Sequence, residues 1–260
     1  MILRATETGQ GPPVCLLHGL FGRAQNFTTL ARTLAAGNRV ICLDLRNHGA
    51  SPHAAGMSYA EMAGDIADTL AALNALPCAV LGHSMGGKAA MMLALTRPAA
   101  VAGLLVADIA PVAYHHQNAA VAAAMQALDL RAGLERRQAE TRLADAVPRA
   151  EVRAFLLQNL ALGAAAAWKI GLSEIAAGIA DIEGWPALPE GARYEGVAWF
   201  VRGGLSDYVS GGDMPQIEAL FPRAQLITVS GAGHWLHAEA PTEFAAIVMK
   251  FLASIGATVR

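Results

Sequence analysis

Residues 82–86, Gly-His-Ser-Met-Gly, form the segment of this sequence whose residue types and spacing best fit a chemical task. They match the pattern G-x-S-x-G, in which a serine stands at the apex of a sharp turn from a strand into a helix. The apolar run 78–81 predicts the buried strand, and the Ala- and Met-rich run 88–96 predicts the helix. The two glycines lack the Cβ atoms that would collide with the opposite arm of such a turn. The segment therefore predicts that Ser84 is a nucleophile.

A serine hydroxyl needs a base to accept its proton, and histidine is the usual base because its pKa lies near neutrality. His234 is the best candidate, because it follows the last predicted strand, 225–229. The carboxyl ends of parallel strands meet at one edge of a sheet, where catalytic groups gather. His18 is interpreted as a loop-shaping residue beside the site. The following histidines are interpreted as solvent or loop residues: His48, His53, His115, His116 and His237.

A third residue must orient the histidine and stabilise its cation. Two carboxylates qualify by position. Asp108 follows the predicted strand 101–107, and Asp207 follows the predicted strand 197–201. Both satisfy the chain order serine, acid, histidine, so the spacing alone does not decide between them.

The negative charge that develops on a substrate carbonyl oxygen needs two preorganised backbone N–H groups. One is expected from Met85, the residue after the nucleophile. The other is expected from the loop after the first buried strand, at Leu20 or alternatively at Phe21. Residues 18–22, His-Gly-Leu-Phe-Gly, are therefore interpreted as an oxyanion loop.

Short β runs alternate with longer helical runs along most of the chain. This alternation predicts an α/β fold with a mostly parallel central sheet flanked by helices. Strands are expected at residues 14–17, 39–43, 78–81, 101–107, 197–201 and 225–229.

Residues 111–191 break this rhythm, because they indicate several helices and no convincing strand. An all-helical stretch between two sheet strands predicts an inserted helical cap. The expected organisation is a core built from residues 1–110 and 192–260, with the cap at 111–191.

The composition excludes several classes of function. With 260 residues, of which 54% are hydrophobic and 15% charged, the chain can bury one large core and is not a disordered protein. The net charge of -2 gives no indication of a nucleic-acid partner. Neither a membrane span nor a signal peptide is expected, because no long uninterrupted apolar run is present.

Cysteine usage indicates a reducing compartment. Cys15, Cys42 and Cys78 each fall in an apolar, strand-like run, where cysteine behaves as a small hydrophobic residue. We therefore expect a cytoplasmic protein. The pair at 115–116 has no carboxylate or cysteine partner at ligand spacing, so neither a metal nor another cofactor is expected.

Six blocks carry a family resemblance: residues 18–22, 44–51, 82–88, 108–111, 203–209 and 232–237. In this order they resemble the α/β-hydrolase superfamily, and in particular the bacterial YbfF-type esterases and their mitochondrial relatives in animals. The resemblance extends over nearly the whole chain. It implies an α/β-hydrolase fold with an inserted helical cap.

The resemblance also bears on the acid. Relatives keep an aspartate at the position of Asp108 and a serine at the position of Ser206, whereas the position of Asp207 is less regularly acidic. The resemblance therefore implies a triad of Ser84, Asp108 and His234, with Ser206 as an auxiliary hydrogen-bonding residue. Asp207 stays as the alternative acid.

A serine nucleophile with a histidine base fits the transfer of an acyl group to water. An aspartate at the turn would instead indicate dehalogenase or epoxide-hydrolase chemistry. We expect hydrolysis of carboxylic esters or thioesters of small to medium acyl groups, acyl-CoA included, through an acyl-enzyme. Two alternatives remain open: a C–C bond hydrolase that uses the same triad, and a non-catalytic ligand-binding homologue.

Contacts with the small-molecule substrate are expected from His18, Phe21, Arg23, Lys88 and Trp235. Arg23, Arg46 and Lys88 would form a cationic rim for a charged leaving group such as a CoA phosphate. Ordinary surface or loop-bracing roles are favoured for them, because such side chains are usually exposed. Both a monomer and a small homo-oligomer are compatible with the sequence.

Overall fold

A seven-stranded sheet forms the centre of the part of the chain that the computed structural model describes, residues 1–115, 117–163 and 165–256. Its strands are β1 (Ala5–Thr8), β2 (Pro13–Leu17), β3 (Arg39–Leu43), β4 (Cys78–His83), β5 (Val101–Ala107), β8 (Ala198–Gly203) and β9 (Ala224–Val229). A separate antiparallel pair consists of β6 (Leu160–Ala161) and β7 (Ala167–Trp168).

The order of strands in the sheet is β1-β3-β2-β4-β5-β8-β9. β1 pairs antiparallel with β3, and the other neighbours pair in parallel. The prediction of a mostly parallel sheet is therefore confirmed. Since β2, β4, β5 and β8 run in the same direction, the residues that follow them meet at one edge of the sheet.

Helices connect the strands. They are α1 (Thr28–Leu34), α2 (Tyr59–Ala72), α3 (Met85–Thr96), α4 (Asn118–Gln126), α5 (Arg136–Arg142), α6 (Ala150–Leu157), α7 (Leu172–Ala177), α8 (Ile179–Glu183), α9 (Met214–Leu220), α10 (Leu236–Glu239) and α11 (Pro241–Ser254). No helix within the described residues combines the length and the apolar character that crossing a membrane requires.

Alternate side chains of each strand pack on opposite faces of the sheet. In β2, Val14 and Leu16 belong to a hydrophobic cluster that includes α1 and α11, whereas Cys15 and Leu17 belong to a second cluster that includes α2 and α3. Both faces are thus covered, which explains why the strands are continuous apolar runs. The helix α3, which begins directly after Ser84, is held firmly, because nearly all of its residues are buried.

Hydrogen bonds between Ser58 and Glu61 fix the start of α2. The Ser58 hydroxyl accepts a hydrogen bond from the Glu61 N–H, and the Glu61 carboxylate accepts one from the Ser58 N–H at 3.0 Å. This reciprocal arrangement satisfies two backbone donors that the first turn of a helix leaves unpaired. Ser58 is therefore the N-cap of α2.

Between β5 and β8, the described residues contain helices α4 to α8 and the short pair β6–β7. The expectation of several helices is confirmed, but the expectation of no strand is wrong. Leu160 pairs with Trp168 and Ala161 with Ala167. Two residues per strand are too few to produce a detectable alternation of apolar and polar side chains. The division into a core and a cap at 111–191 stays a prediction.

Candidate active site

Ser84 lies at the turn between β4 and α3, in a backbone conformation that side chains rarely adopt, with φ at +53°. Its N–H donates to the Ala107 carbonyl at 3.0 Å, which ties the turn to the neighbouring strand β5. A Cβ on Gly82 would overlap the Gly86 carbonyl, and a Cβ on Gly86 would lie 2.5 Å from the His18 carbonyl oxygen. The turn therefore requires glycine at both positions.

Asp108 and His234 form a hydrogen-bonded pair at the end of β5. His234 Nδ1 lies 2.8 Å from Asp108 Oδ2. The carboxylate is fully buried and accepts two further hydrogen bonds, from the Gly203 N–H at 2.9 Å and from the Ser206 hydroxyl. A buried carboxylate needs such donors to remain charged. These contacts hold the Asp108 carboxylate against the imidazole.

Asp207 occupies a different environment. It is exposed and lines the same cavity as Ser84, yet within the described residues it makes no hydrogen bond or ion pair with His234. Of the two candidate acids, the structure brings only Asp108 to the histidine.

Two aromatic contacts hold the His234 ring. Tyr208 stacks on it with ring centroids 3.7 Å apart and an interplanar angle of 17°. The His83 ring lies 4.7 Å away, and its Nε2 donates to the His234 carbonyl at 2.8 Å. His234 and Ser84 line one cavity. Tyr208 was not predicted from the sequence, because nothing in its spacing marks it beyond its place after Asp207.

Leu20 and Phe21 were the two candidates for a backbone donor in the oxyanion loop, and among the described residues only the Leu20 N–H is free. The Phe21 N–H donates to His48 Nε2 at 3.0 Å, which removes Phe21 as an oxyanion donor. The N–H groups of Leu20 and Met85 donate no hydrogen bond within the described part of the chain, and both residues line the cavity. These two groups remain available for a substrate oxygen.

Two buried, neutral histidines support this loop. His18 Nε2 accepts from the Leu45 N–H at 3.0 Å, and its Nδ1 donates to the Gly19 carbonyl at 2.8 Å. His48 is held in the same way between Phe21 and Arg46. Burial lowers the pKa of His18 to about 4 and that of His48 to about 3. His48 lies in a loop, as one of its two interpretations had it, but it is not a solvent residue, because its ring is buried and braces the oxyanion loop.

The cavity has a volume of about 560 Å³. Its lining includes both exposed and buried side chains: Leu205 is 76% exposed, whereas Lys88 is 1% exposed. Much of the wall is apolar and comes from Ile109, Val121, Val152, Phe155, Leu156 and Ile182. Such a wall suits a hydrocarbon chain.

Four of the five predicted substrate contacts line this cavity: His18, Phe21, Lys88 and Trp235. Arg23 does not, and its assignment was wrong. Arg23 precedes the short helical turn Ala24–Phe27, and its N–H is bound to the Asn26 side chain. The turn places Phe27, rather than Arg23, on the cavity wall.

The cationic rim is not formed by the residues proposed for it. Arg46 is buried and pairs with Asp65 at 2.7 Å and Glu61 at 3.0 Å. Lys88 is buried, and its Nζ donates to the backbone carbonyls of Glu183 and Gly184. Both side chains brace the fold.

Metal-binding clusters are not found among the described residues. His115 lies within the described part of the chain, but His116 lies outside it, so the pair at 115–116 is not described as a unit. The cysteines at 15, 42 and 78 are buried and unpaired.

Comparisons with known proteins identify the family of the chain. Residues 12–241 match the family described as "alpha/beta hydrolase fold". The chain is 40% identical over 252 residues to the sn-1-specific diacylglycerol lipase ABHD11 of Mus musculus, covering 93% of this chain and 81% of that protein. It is 35% identical over 241 residues to the Esterase YbfF of Escherichia coli, covering 92% of each.

A solved structure gives the same result in three dimensions. The structure described as a marine microorganism esterase superposes with a TM-score of 0.92 at 36% sequence identity, covering 96% of this chain and 99% of that one. The chain therefore belongs to the α/β-hydrolase fold family, among relatives that are named esterases and lipases.

Proposed function

We propose that this protein is a carboxylesterase-type serine hydrolase that cleaves esters of small to medium acyl groups through an acyl-enzyme. The observation that carries the proposal is the contact between Asp108 and His234, 2.8 Å long, at the cavity that also holds Ser84. The names of the relatives, which include esterases and diacylglycerol lipases, support the same class of reaction.

The chemistry follows from the roles of the three side chains. His234 takes the proton of the Ser84 hydroxyl as its oxygen attacks the ester carbonyl, and Asp108 stabilises the imidazolium that forms. The imidazolium then gives this proton to the departing alcohol oxygen, and the acyl group stays on Ser84. Water, activated by the neutral His234, attacks the acyl-enzyme and releases the carboxylic acid and the free serine.

Backbone donors stabilise the charge that develops. The N–H groups of Leu20 and Met85 bind the carbonyl oxygen of the substrate as it becomes negative. His48 contributes indirectly, because its bond to the Phe21 N–H fixes the loop that carries Leu20. His18 and His48 suit this task as neutral rings, since a charged ring could not accept a backbone N–H.

The wall of the cavity supports an apolar acyl group, and we take an uncharged alcohol as the leaving group. The basic side chains near the cavity are engaged with groups of the protein. Arg46 pairs with Asp65, and Lys88 binds backbone carbonyls. Arg149 lines the cavity, but its Nε donates to the Glu151 carboxylate at 2.6 Å. Small thioesters use the same steps and remain part of the proposal. A cytoplasmic location is proposed on the buried, unpaired cysteines alone.

Steady-state hydrolysis of p-nitrophenyl acetate, butanoate and octanoate, compared with acetyl-CoA, tests this proposal. We expect turnover of the aryl esters, weaker turnover of acetyl-CoA, and none of either with the Ser84→Ala variant. Absence of ester hydrolysis by the folded wild-type protein would contradict the proposed activity. A preference for acetyl-CoA over all three esters would contradict the proposed leaving group.

A further inference from the structure

Lys88 is a buried lysine on α3, one turn after Ser84. Its Nζ donates to the Gly184 carbonyl at 2.7 Å and to the Glu183 carbonyl at 3.1 Å. The other two lysines of the sequence, Lys169 and Lys250, are exposed. Burial of an amine is unfavourable unless hydrogen bonds compensate for the lost water. The position of Lys88 is therefore tied to the two carbonyls that it binds.

Tyr59 makes the matching contact from the neighbouring helix α2. Its hydroxyl donates to the Ile182 carbonyl at 2.5 Å. Three successive carbonyls at the carboxyl end of α8 thus accept hydrogen bonds from two buried core side chains. The last carbonyls of a helix have no partner within the helix, and a lysine side chain is a recognised way to satisfy them.

The surroundings of the Lys88 amine support an anchoring role. The Nζ lies 4.8 Å from the centre of the Tyr114 ring and 5.5 Å from that of Tyr59. Burial lowers the pKa of Lys88 to about 7, and the nearby Glu183 carboxylate opposes this shift. A neutral amine keeps two N–H groups, which equals the number of carbonyls bound. The anchor therefore does not depend on the charge.

The anchored end of α8 forms part of the cavity wall. Ile182 and Glu183 line the cavity, and the Asn118 side chain donates to the Glu183 carboxylate at 2.9 Å. We propose that Lys88 and Tyr59 fix the carboxyl end of α8 as the inner wall of the acyl pocket and thereby limit the length of the acyl group. The inference rests on the proposed esterase function and specifies its substrates as esters whose acyl chain ends before this wall.

Three variants and two substrates test whether the carboxyl end of α8 limits the length of the acyl group. Lys88→Met removes both hydrogen bonds at similar length, Tyr59→Phe removes one, and Lys250→Met is the exposed control. The measured quantity is kcat/KM for p-nitrophenyl decanoate divided by kcat/KM for p-nitrophenyl acetate. We expect this ratio to rise at least about tenfold in Lys88→Met, less in Tyr59→Phe, and not at all in Lys250→Met. A pocket wall contributes discrimination of this size against one extra methylene.

The ratio separates the inference from a general loss of structure, because misfolding lowers kcat/KM for both esters equally. An unchanged ratio in active Lys88→Met and Tyr59→Phe would overturn the inference and leave the esterase function intact. If Lys88→Met does not fold, Tyr59→Phe decides, and an unchanged ratio in it counts against the inference. No turnover of acetate by the folded wild-type protein would instead overturn the proposed function, and the inference with it.

Discussion

The Asp108 carboxylate lies 2.8 Å from Nδ1 of His234, although 126 residues separate them in the chain. Asp108 terminates β5, and His234 follows β9. The parallel sheet closes the distance, because it brings the carboxyl ends of its strands to one edge. The same carboxylate oxygen accepts the Ser206 hydroxyl, so the acid is held from two sides.

The first prediction separates the two candidate acids. Asp108→Asn should lower kcat by roughly 10⁴-fold, because an amide cannot stabilise the imidazolium or hold its tautomer. Asp207→Asn should change kcat by no more than about twofold, since this side chain is exposed and does not contact His234. Ester hydrolysis by the two purified variants checks this. A large loss in Asp207→Asn with little loss in Asp108→Asn would show that the acid is wrongly assigned.

The stacking of Tyr208 on His234 yields a second prediction. Tyr208→Leu should lower kcat about 2- to 10-fold, the usual worth of a stacked aromatic pair, whereas Tyr208→Phe should stay near wild type. The electron-rich ring face stabilises the imidazolium. Steady-state ester hydrolysis by the two purified variants measures both values. Equal activities in Tyr208→Leu and Tyr208→Phe would exclude this role.

Glycine substitutions test whether the turn at Ser84 requires a residue without a Cβ at position 82. Gly82→Ala should reduce the free energy of unfolding by about 2 kcal/mol, because the added methyl overlaps the Gly86 backbone. Gly64→Ala is the matched control: it lies within α2, where the added methyl meets nothing within 4 Å. It should stabilise the protein by up to about 1 kcal/mol. Urea denaturation measures both values, and similar values for the two variants would contradict the prediction.

Acid should destabilise the fold through His18 and His48. Burial lowers their pKa values from 6.5 to about 4 and about 3. The unfolded chain therefore binds protons below pH 6.5 that the folded protein does not. The free energy of unfolding should fall as the pH drops from 6.5 to about 4, by at most about 1.4 kcal/mol per pH unit for each ring.

A glutamine at position 48 can accept the same backbone N–H without titrating. His48→Gln should therefore have a shallower loss of stability between pH 6.5 and 5 than the wild type. His53→Gln, at an exposed site, is the control and should keep the wild-type slope. Urea denaturation at several pH values provides the slopes. Identical slopes in all three proteins would show that His48 is not held neutral.

The strands were the most predictable part of the fold. β3 and β5 lie at the predicted residues 39–43 and 101–107, because a strand covered on both faces is a continuous apolar run. β1 was missed, since this edge strand is mostly exposed and carries no such run. The residues after the strand ends then supplied the candidates for nucleophile, base and acid.

Long-range contacts of single side chains could not be predicted. Lys88 binds a carbonyl 95 residues away, and His48 accepts an N–H 27 residues away. From the sequence alone, Lys88 could equally bind substrate at a rim or bind a backbone carbonyl in the interior. Only the position of α8 in the structure decides between the two. The same holds for Tyr208, whose role depends on the ring opposite it.

Covalent labelling shows whether Ser84 is a nucleophile that His234 activates. A fluorophosphonate probe reacts with a serine only when a base activates it, and peptide mapping by mass spectrometry locates the adduct. We predict one adduct on Ser84 in the folded wild-type protein, no adduct on Ser84→Ala, and labelling slowed by orders of magnitude in His234→Ala. Failure to label Ser84 in folded protein, or equally fast labelling without His234, would show that Ser84 is not a nucleophile activated by His234.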